Sequence, residues 1–333
     1  MKKEILKALR DAGDGFVSGQ SLCEKTGVTR QAVWKNIAQL KQMGYDIESI
    51  PNKGYMLAGF PDILYSEDIE SRMKEGSICK RVESYDIVDS TNIRAKQLAE
   101  QGEPEGTLVI AERQSAGRGR RGRSWFSDAG TGVFMSLILR PDILPSEVSG
   151  ITLIAALATA KAIEEVCSVE SQIKWPNDIV LNGKKICGIL TEMSAEMNCI
   201  NHVVVGIGIN ANNKSFDNDI SDMATSIYIQ TGKKSDRAQL AAVTVDKFGE
   251  YYQEFNKALS LKPFINEYNG LLVSMDKEVK ILYGMKEDAD EGRAEIGIAK
   301  GIDETGALIV DTKEGTKKIV SGEVSVRGLY GYV

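Results

Sequence analysis

Along the first sixty residues, apolar positions recur at helical spacing and then change to strand spacing. Ile5, Leu6 and Leu9 share one face of a first predicted helix. Ser18 is placed to cap a second helix, which carries Leu22 and Cys23 and stops at Gly27. Thr29 is placed to cap a third, with Val33, Ile37 and Leu40 on its inner face and Arg30, Gln31, Lys35 and Lys41 elsewhere. A short helix, a glycine-containing turn and a polar-faced second helix predict a helix-turn-helix. Residues 46–50 and 55–57, on either side of Asn52-Lys53-Gly54, predict a two-stranded wing. The region 1–60 is therefore expected to be a winged helix-turn-helix domain.

Beyond a linker at 58–61 the pattern mixes both periods. Residues 107–111 and 133–139 read as strands, and 93–101, 147–166 and 236–257 as helices. Pro176 ends one strand before 179–181 begins another, and Asn182-Gly183 signals a tight hairpin into 184–190. Gly206 and Gly208, alternating with Ile207 and Ile209, leave two side chains missing from one strand face. Such a gap receives a ligand or another backbone. From about residue 271, short strands at 278–282, 295–299, 307–310 and 318–320 predict a small SH3-like β barrel. The expected class is α+β and multidomain, divided as 1–60, 63–268 and 271–333.

Composition narrows the chemistry. A chain of 333 residues with 42% hydrophobic and 26% charged residues is long enough for two or three globular domains. No apolar stretch is long enough to span a bilayer, and the N-terminus reads as an amphipathic segment rather than a signal sequence. Five cysteines without a CxxC pair suggest neither a disulfide framework nor a zinc site, so a reducing cytoplasm is expected. The single histidine, His202, precedes the apolar run Val203-Val204-Val205, which argues against triad hydrolysis and histidine-rich metal sites. The net charge of −6 is uneven: residues 1–60 hold nine Lys/Arg against six Asp/Glu, leaving −9 for the remainder. That asymmetry favours nucleic acid as a partner of the N-terminal module. Its groove contacts are expected from Thr29, Arg30 and Gln31, with Trp34 and Lys35 nearby, and its phosphate contact from Lys53.

The strongest chemical signal is the run Gly117-Arg118-Gly119-Arg120-Arg121-Gly122-Arg123-Ser124-Trp125. Glycines permit close backbone approach to a ligand, guanidiniums match phosphate geometry, and Trp125 offers a flat face for a base. Arg/Gly runs also occur as disordered RNA-binding segments or as solvated faces. This one lies between two predicted strands, which favours a clamp on a phosphate-bearing ligand.

The same run resembles the ligand loop of biotin–protein ligases, specifically the bifunctional kind that also represses the biotin operon. Lys174-Trp175-Pro176-Asn177-Asp178, the segment from Lys185 to Gly188 and Ile189-Leu190, and Gly206-Ile207-Gly208-Ile209-Asn210 match the same family in the same order. The resemblance implies a central class II synthetase-like mixed sheet with packed helices. It implies that Ser90, Thr91, Asn92 and Gln114 hold the ureido ring of biotin, although residues 90–92 also read as ordinary helix caps. Gly119 and Gly188 would lie against the ligand. Lys185, Arg118 and Arg120 would neutralise the carboxylate and the developing phosphoanhydride. Arg121, Arg123, Trp125, Asn177 and Asn210 would meet the nucleotide. Asp178 could orient a cation, the incoming lysine or a basic loop residue.

The implied reaction forms biotinyl-5'-AMP from biotin and ATP with Mg2+, then moves biotin to a lysine of a biotin carboxyl carrier domain. The adenylate would also act as corepressor, favouring a homodimer on operator DNA. A biotin-sensing repressor with little turnover and a lipoate ligase are the competing readings.

Overall fold

The structure is a computed structural model and describes residues 1–196, 199–283, 294–321, 324–328 and 333. The N-terminal module consists of α1 (Lys2–Asp11), α2 (Gly19–Thr26), α3 (Arg30–Gln42) and a hairpin of β1 (Asp46–Ile50) and β2 (Gly54–Gly59). Its helix ends follow from local chemistry. The Ser18 side chain accepts from the Ser21 backbone N–H, Gly27 closes α2 at φ 70°, and Thr29 accepts from Ala32 N–H at 3.3 Å. Ile5, Leu6, Leu9, Leu22, Val33, Ile37 and Leu40 form a core separate from the rest of the molecule.

After α4 (Ser66–Arg72) come β3 (Arg81–Val88), α5 (Thr91–Glu100), β4 (Thr107–Gln114) and β5 (Gly132–Leu139). Next are α6 (Val148–Cys167), β6 (Gln172–Lys174), β7 (Asp178–Leu181), β8 (Lys184–Glu196) and β9 (Cys199–Asn210). These strands build one seven-stranded sheet in the order β3-β4-β5-β9-β8-β7-β6. Only the β3–β4 pair is parallel. Two short helices, α7 (Asn218–Ser221) and α8 (Ile227–Thr231), lead to the long α9 (Arg237–Ala258) and to α10 (Ile265–Leu271). The apolar α6 buries Ile151, Ile154, Leu157 and Ile163 and packs against α9, and both contribute to the main core with the sheet. That layer of helices is what the dense Ala/Ile/Leu composition of 148–167 requires.

The C-terminal region holds β10 (Glu278–Tyr283), β11 (Ala294–Ile302), β12 (Leu308–Thr312), β13 (Gly315–Ile319) and β14 (Val324–Gly328). They form a five-stranded antiparallel sheet in the order β13-β12-β11-β10-β14. It is joined to the central domain by Trp175, whose indole N–H donates to the Gly306 carbonyl at 3.1 Å.

Candidate active site

Two groups of predicted residues meet on β9. The first is a polar wall at the start of α5. Thr91 N–H donates to Gln114 Oε1 at 2.8 Å, and the Gln114 amide donates to Ser127 Oγ at 2.9 Å. Ser136 on β5 contacts Thr91 Oγ1 at 2.8 Å and donates to Asn92 Oδ1 at 2.6 Å. Asn92 in turn donates to the Leu190 carbonyl and to Glu192. Ser90, Thr91, Asn92 and Ser136 are all buried. The expected capping role of Ser90 is corrected here. Its side chain makes no cap bond, and Gln114 from the neighbouring strand takes the Thr91 N–H instead.

The second group joins the β4–β5 loop to the β7–β8 hairpin. The loop closes on itself through Trp125 N–H to the Gly117 carbonyl and Gly119 N–H to the Arg123 carbonyl, with Arg121 at φ 57° and Gly122 at φ 76°. Arg120 reaches across to Asn177 Oδ1 at 2.6 Å. Burial pushes its guanidinium below the ordinary arginine value, Arg121 adds to that shift, and Asp178 opposes it. Asn177 donates to Asp178 Oδ1 and to the Ile189 carbonyl. Asp178 pairs with Lys185 at 2.6 Å. The hairpin that presents Lys185 turns at Asn182 and Gly183, both at positive φ as the sequence predicts.

The glycine gap has specific occupants. Gly188 on β8 faces Gly208 on β9 in register, with Ser136 of β5 beside Gly206 two residues further along β9. A Cβ on Gly206 would lie 2.0 Å from Asn92 Oδ1, and one on Gly208 would lie 2.6 Å from Trp125 Nε1. Asn92 and Trp125 thus lie side by side on the bare strip, which brings the polar wall and the basic loop together. Trp125 also approaches Gly188, and Lys185 Nζ sits 5.3 Å from its ring centroid. The indole nitrogen is buried without a partner. In this structure, therefore, Trp125 covers the strip on which the ligand was expected to rest.

Some predicted residues take other positions. Asn210 is buried and donates to the Thr225 carbonyl, fastening the end of β9 to the segment before α8. Arg118, Arg121 and Arg123 lie on the exposed side of the loop. Ser136, Ser127 and Glu192 were missed by sequence reasoning: Ser136 is one polar residue within an apolar strand, and Ser127 and Glu192 lie in no motif of their own. In the N-terminal module, Thr29, Arg30, Gln31 and Lys35 are exposed at the start of α3, and Trp34 is 65% exposed beside them. Arg30 donates to Gln20 Oε1, and Lys53 lies at the wing turn, 5.9 Å from the Phe16 ring.

Comparison with known proteins adds independent findings. Residues 84–210 match the model of the biotin/lipoate A/B protein ligase family. Residues 2–56 match an HTH domain, and 276–327 match the biotin protein ligase C-terminal domain. The chain is 38% identical over 329 residues to the bifunctional ligase/repressor BirA of Bacillus subtilis, covering 98% of each. It is 31% identical to the protein of that name from Escherichia coli, covering 95% of this chain and 94% of the relative. Among solved structures, the biotin protein ligase of Aquifex aeolicus in complex with biotin and ATP is similar, with a TM-score of 0.64 and 32% identity. That similarity covers 75% of this chain and 99% of the other.

Proposed function

The chain belongs to the bifunctional biotin–protein ligase and repressor family, and from that premise we propose how its residues divide the work. Residues 63–268 form the catalytic unit, 1–60 the operator-binding unit, and 271–333 an accessory β domain. The wall of Ser90, Thr91, Asn92 and Gln114 receives the biotin ring, and Gly188 lies beneath it once Trp125 has left the strip it covers here. Lys185 and Arg120 draw the biotin carboxylate toward the α-phosphorus of ATP, helped by Arg118 and Gly119 of the same loop. The carboxylate oxygen attacks that phosphorus, and the bond to pyrophosphate breaks. The lysine amine of a biotin carboxyl carrier domain then attacks the biotinyl carbonyl, AMP leaves, and an amide forms.

No covalent enzyme intermediate is needed, because the mixed anhydride is itself the activated acyl donor. The contribution of the protein is positioning and charge. Asp178 holds the Lys185 ammonium and faces the amide of Asn177, which accepts from Arg120. One carboxylate thereby organises two cations without cancelling both. Arg121, Arg123, Trp125 and Asn177 serve the nucleotide side, and Asn210 backs it by fastening the end of β9 to the segment before α8. Magnesium is assigned to the nucleotide, as part of the ATP substrate complex. Bound with ATP, the ion would neutralise phosphate charge.

The observation that carries this reading is the meeting of the buried polar wall and the Arg120–Asn177–Asp178–Lys185 chain on one glycine strip. For repression, retained biotinyl-5'-AMP would order the loops and favour a two-fold dimer. Two α3 helices would then address a palindromic operator through Thr29, Arg30, Gln31 and Lys35, with Lys53 on phosphate. Biotin-dependent ATP–pyrophosphate exchange, followed by labelling of a carrier domain, tests the enzyme. Exchange without labelling would contradict the transfer step, and exchange driven by lipoate would replace the substrate.

A further inference from the structure

Both ends of the Asn92 amide are used inside the protein. One end faces two groups that can only accept, the Leu190 carbonyl at 3.1 Å and Glu192 Oε2 at 2.8 Å. That end is therefore the NH2 group. The carbonyl end lies 2.6 Å from Ser136 Oγ, which must supply its only hydrogen. Ser136 is fully buried and then has only lone pairs to offer Thr91 Oγ1 at 2.8 Å. The Thr91 hydroxyl hydrogen is directed to Ser136, or to Gln114 Oε1 at 3.1 Å. In either case it is consumed within the protein, and Thr91 presents lone pairs to a ligand. At the far end of the chain, the Lys96 ammonium pairs with Glu192 Oε1 while Oε2 holds Asn92.

We propose that Glu192, held by Lys96, is a positioning residue that sets the hydrogen-bond polarity of the biotin-ring site. It fixes the Asn92 amide, which directs Ser136, which leaves Thr91 an acceptor and so selects a ligand edge bearing N–H donors. The inference rests on the reading of this wall as the biotin site. A carboxylate is needed because two donors converge on it. Glutamine at 192 has one oxygen, so its NH2 must face either the Lys96 ammonium or the Asn92 amide. The second arrangement turns Asn92 over and sets its oxygen against the Leu190 carbonyl.

The test measures biotin Kd, KM and kcat for full-length wild type, Glu192→Gln, Lys96→Met, the double variant and Ser136→Ala, with thermal midpoints as a fold check. Glu192→Gln should raise Kd and KM about tenfold or more, the scale of a hydrogen bond to a charged group. Its kcat should stay within about threefold, since ground-state binding is what is lost. Lys96→Met should raise Kd less, because Glu192 still accepts from Asn92. The double variant should bind better than Glu192→Gln alone, since the glutamine oxygen can then face Asn92 unopposed. Ser136→Ala cuts the relay by a small change, so it carries the test if Glu192→Gln does not fold, and in a further variant that combines the two its effect should not add to that of Glu192→Gln. Unchanged KM in both Glu192→Gln and Ser136→Ala, a double variant equal to the product of the singles, or a fall in kcat at constant KM would each overturn the proposal. Failure of wild type to bind biotin would overturn the site reading itself.

Discussion

Gly206 and Gly208 stand two residues apart on β9, yet a methyl group should have different consequences at each. At Gly206 it would meet Asn92 Oδ1 at 2.0 Å, and that amide is held by Ser136, Leu190 and Glu192. At Gly208 it would meet the Trp125 ring at 2.6 Å, and the indole N–H of that ring has no hydrogen-bond partner to lose. Gly206→Ala should therefore destabilise the fold by about 1–3 kcal/mol, the scale of overpacking, and weaken biotin binding. Gly208→Ala should keep a near-native thermal midpoint. Equal midpoints for the two variants would mean that Asn92 is not anchored as described. His202 offers a second residue-scale test. It is buried, and desolvation lowers its imidazole below the ordinary 6.5, with Arg140 acting in the same direction. The unfolded chain then binds the proton more readily. The His202 contribution to stability is complete above about pH 6.5 and is lost as pH falls through the lower folded value. As the only histidine, it can be isolated: His202→Gln should flatten the urea midpoint between pH 7 and the carboxylate range. A slope identical to wild type would remove His202 from the pH response.

At the scale of elements, the β4–β5 loop and the β6–β8 segment face each other as two jaws, bridged here by Arg120 on Asn177 of the β6–β7 turn. Lys185→Met should lower the rate of adenylate formation by about 10²–10³, the usual effect of losing one charge-stabilising donor. Arg120→Gly should act differently, because it unlatches the loop and leaves Lys185 in place. Bound adenylate should escape faster, and the freed acyl phosphate should label bystander amines, which blotting of mixed proteins would detect. Unchanged adenylate dissociation would assign the loop arginines another purpose. These jaws were legible in the sequence because their signals are local: an arginine-glycine run between strands, and Asn182-Gly183 as a turn. Helix caps at Ser18 and Thr29 were legible for the same reason. The back of the site was not. Ser136 and Glu192 acquire meaning only from Asn92, which lies 44 and 100 residues away in the chain. Trp125 was expected over a nucleotide, and only the register of Gly188 with Gly208 explains why the ring lies on the sheet.

Across the whole molecule, the winged helix is joined to the catalytic unit through Tyr65, which packs against its core beside Tyr45, and through charge. Lys2 pairs with Glu67 and Lys3 with Glu70, contacts that are partly exposed and contribute little. The centre is different. Asp68 is fully buried and shared between Arg10 of α1 and Arg72 of α4, while Arg72 also reaches Asp236 at 2.6 Å. The two guanidiniums lie 5.1 and 4.8 Å from the Phe60 ring centroid, so the linker residue packs with both. Removing the carboxylate leaves two cations facing each other in a dry contact. Asp68→Ala should therefore destabilise the full-length protein by about 3–5 kcal/mol in urea. Deleting residues 1–60 has a milder local effect: Asp68 becomes hydrated and keeps Arg72. The shortened protein should still exchange pyrophosphate with biotin and ATP at saturation while losing operator binding, since none of the proposed ligand residues lies before residue 63. Its catalytic unit should also unfold at a higher urea concentration than full-length Asp68→Ala. If the shortened protein folds but cannot exchange pyrophosphate, the winged helix supplies something to the chemistry that its charge contacts with α4 do not reveal, and the modular division is wrong.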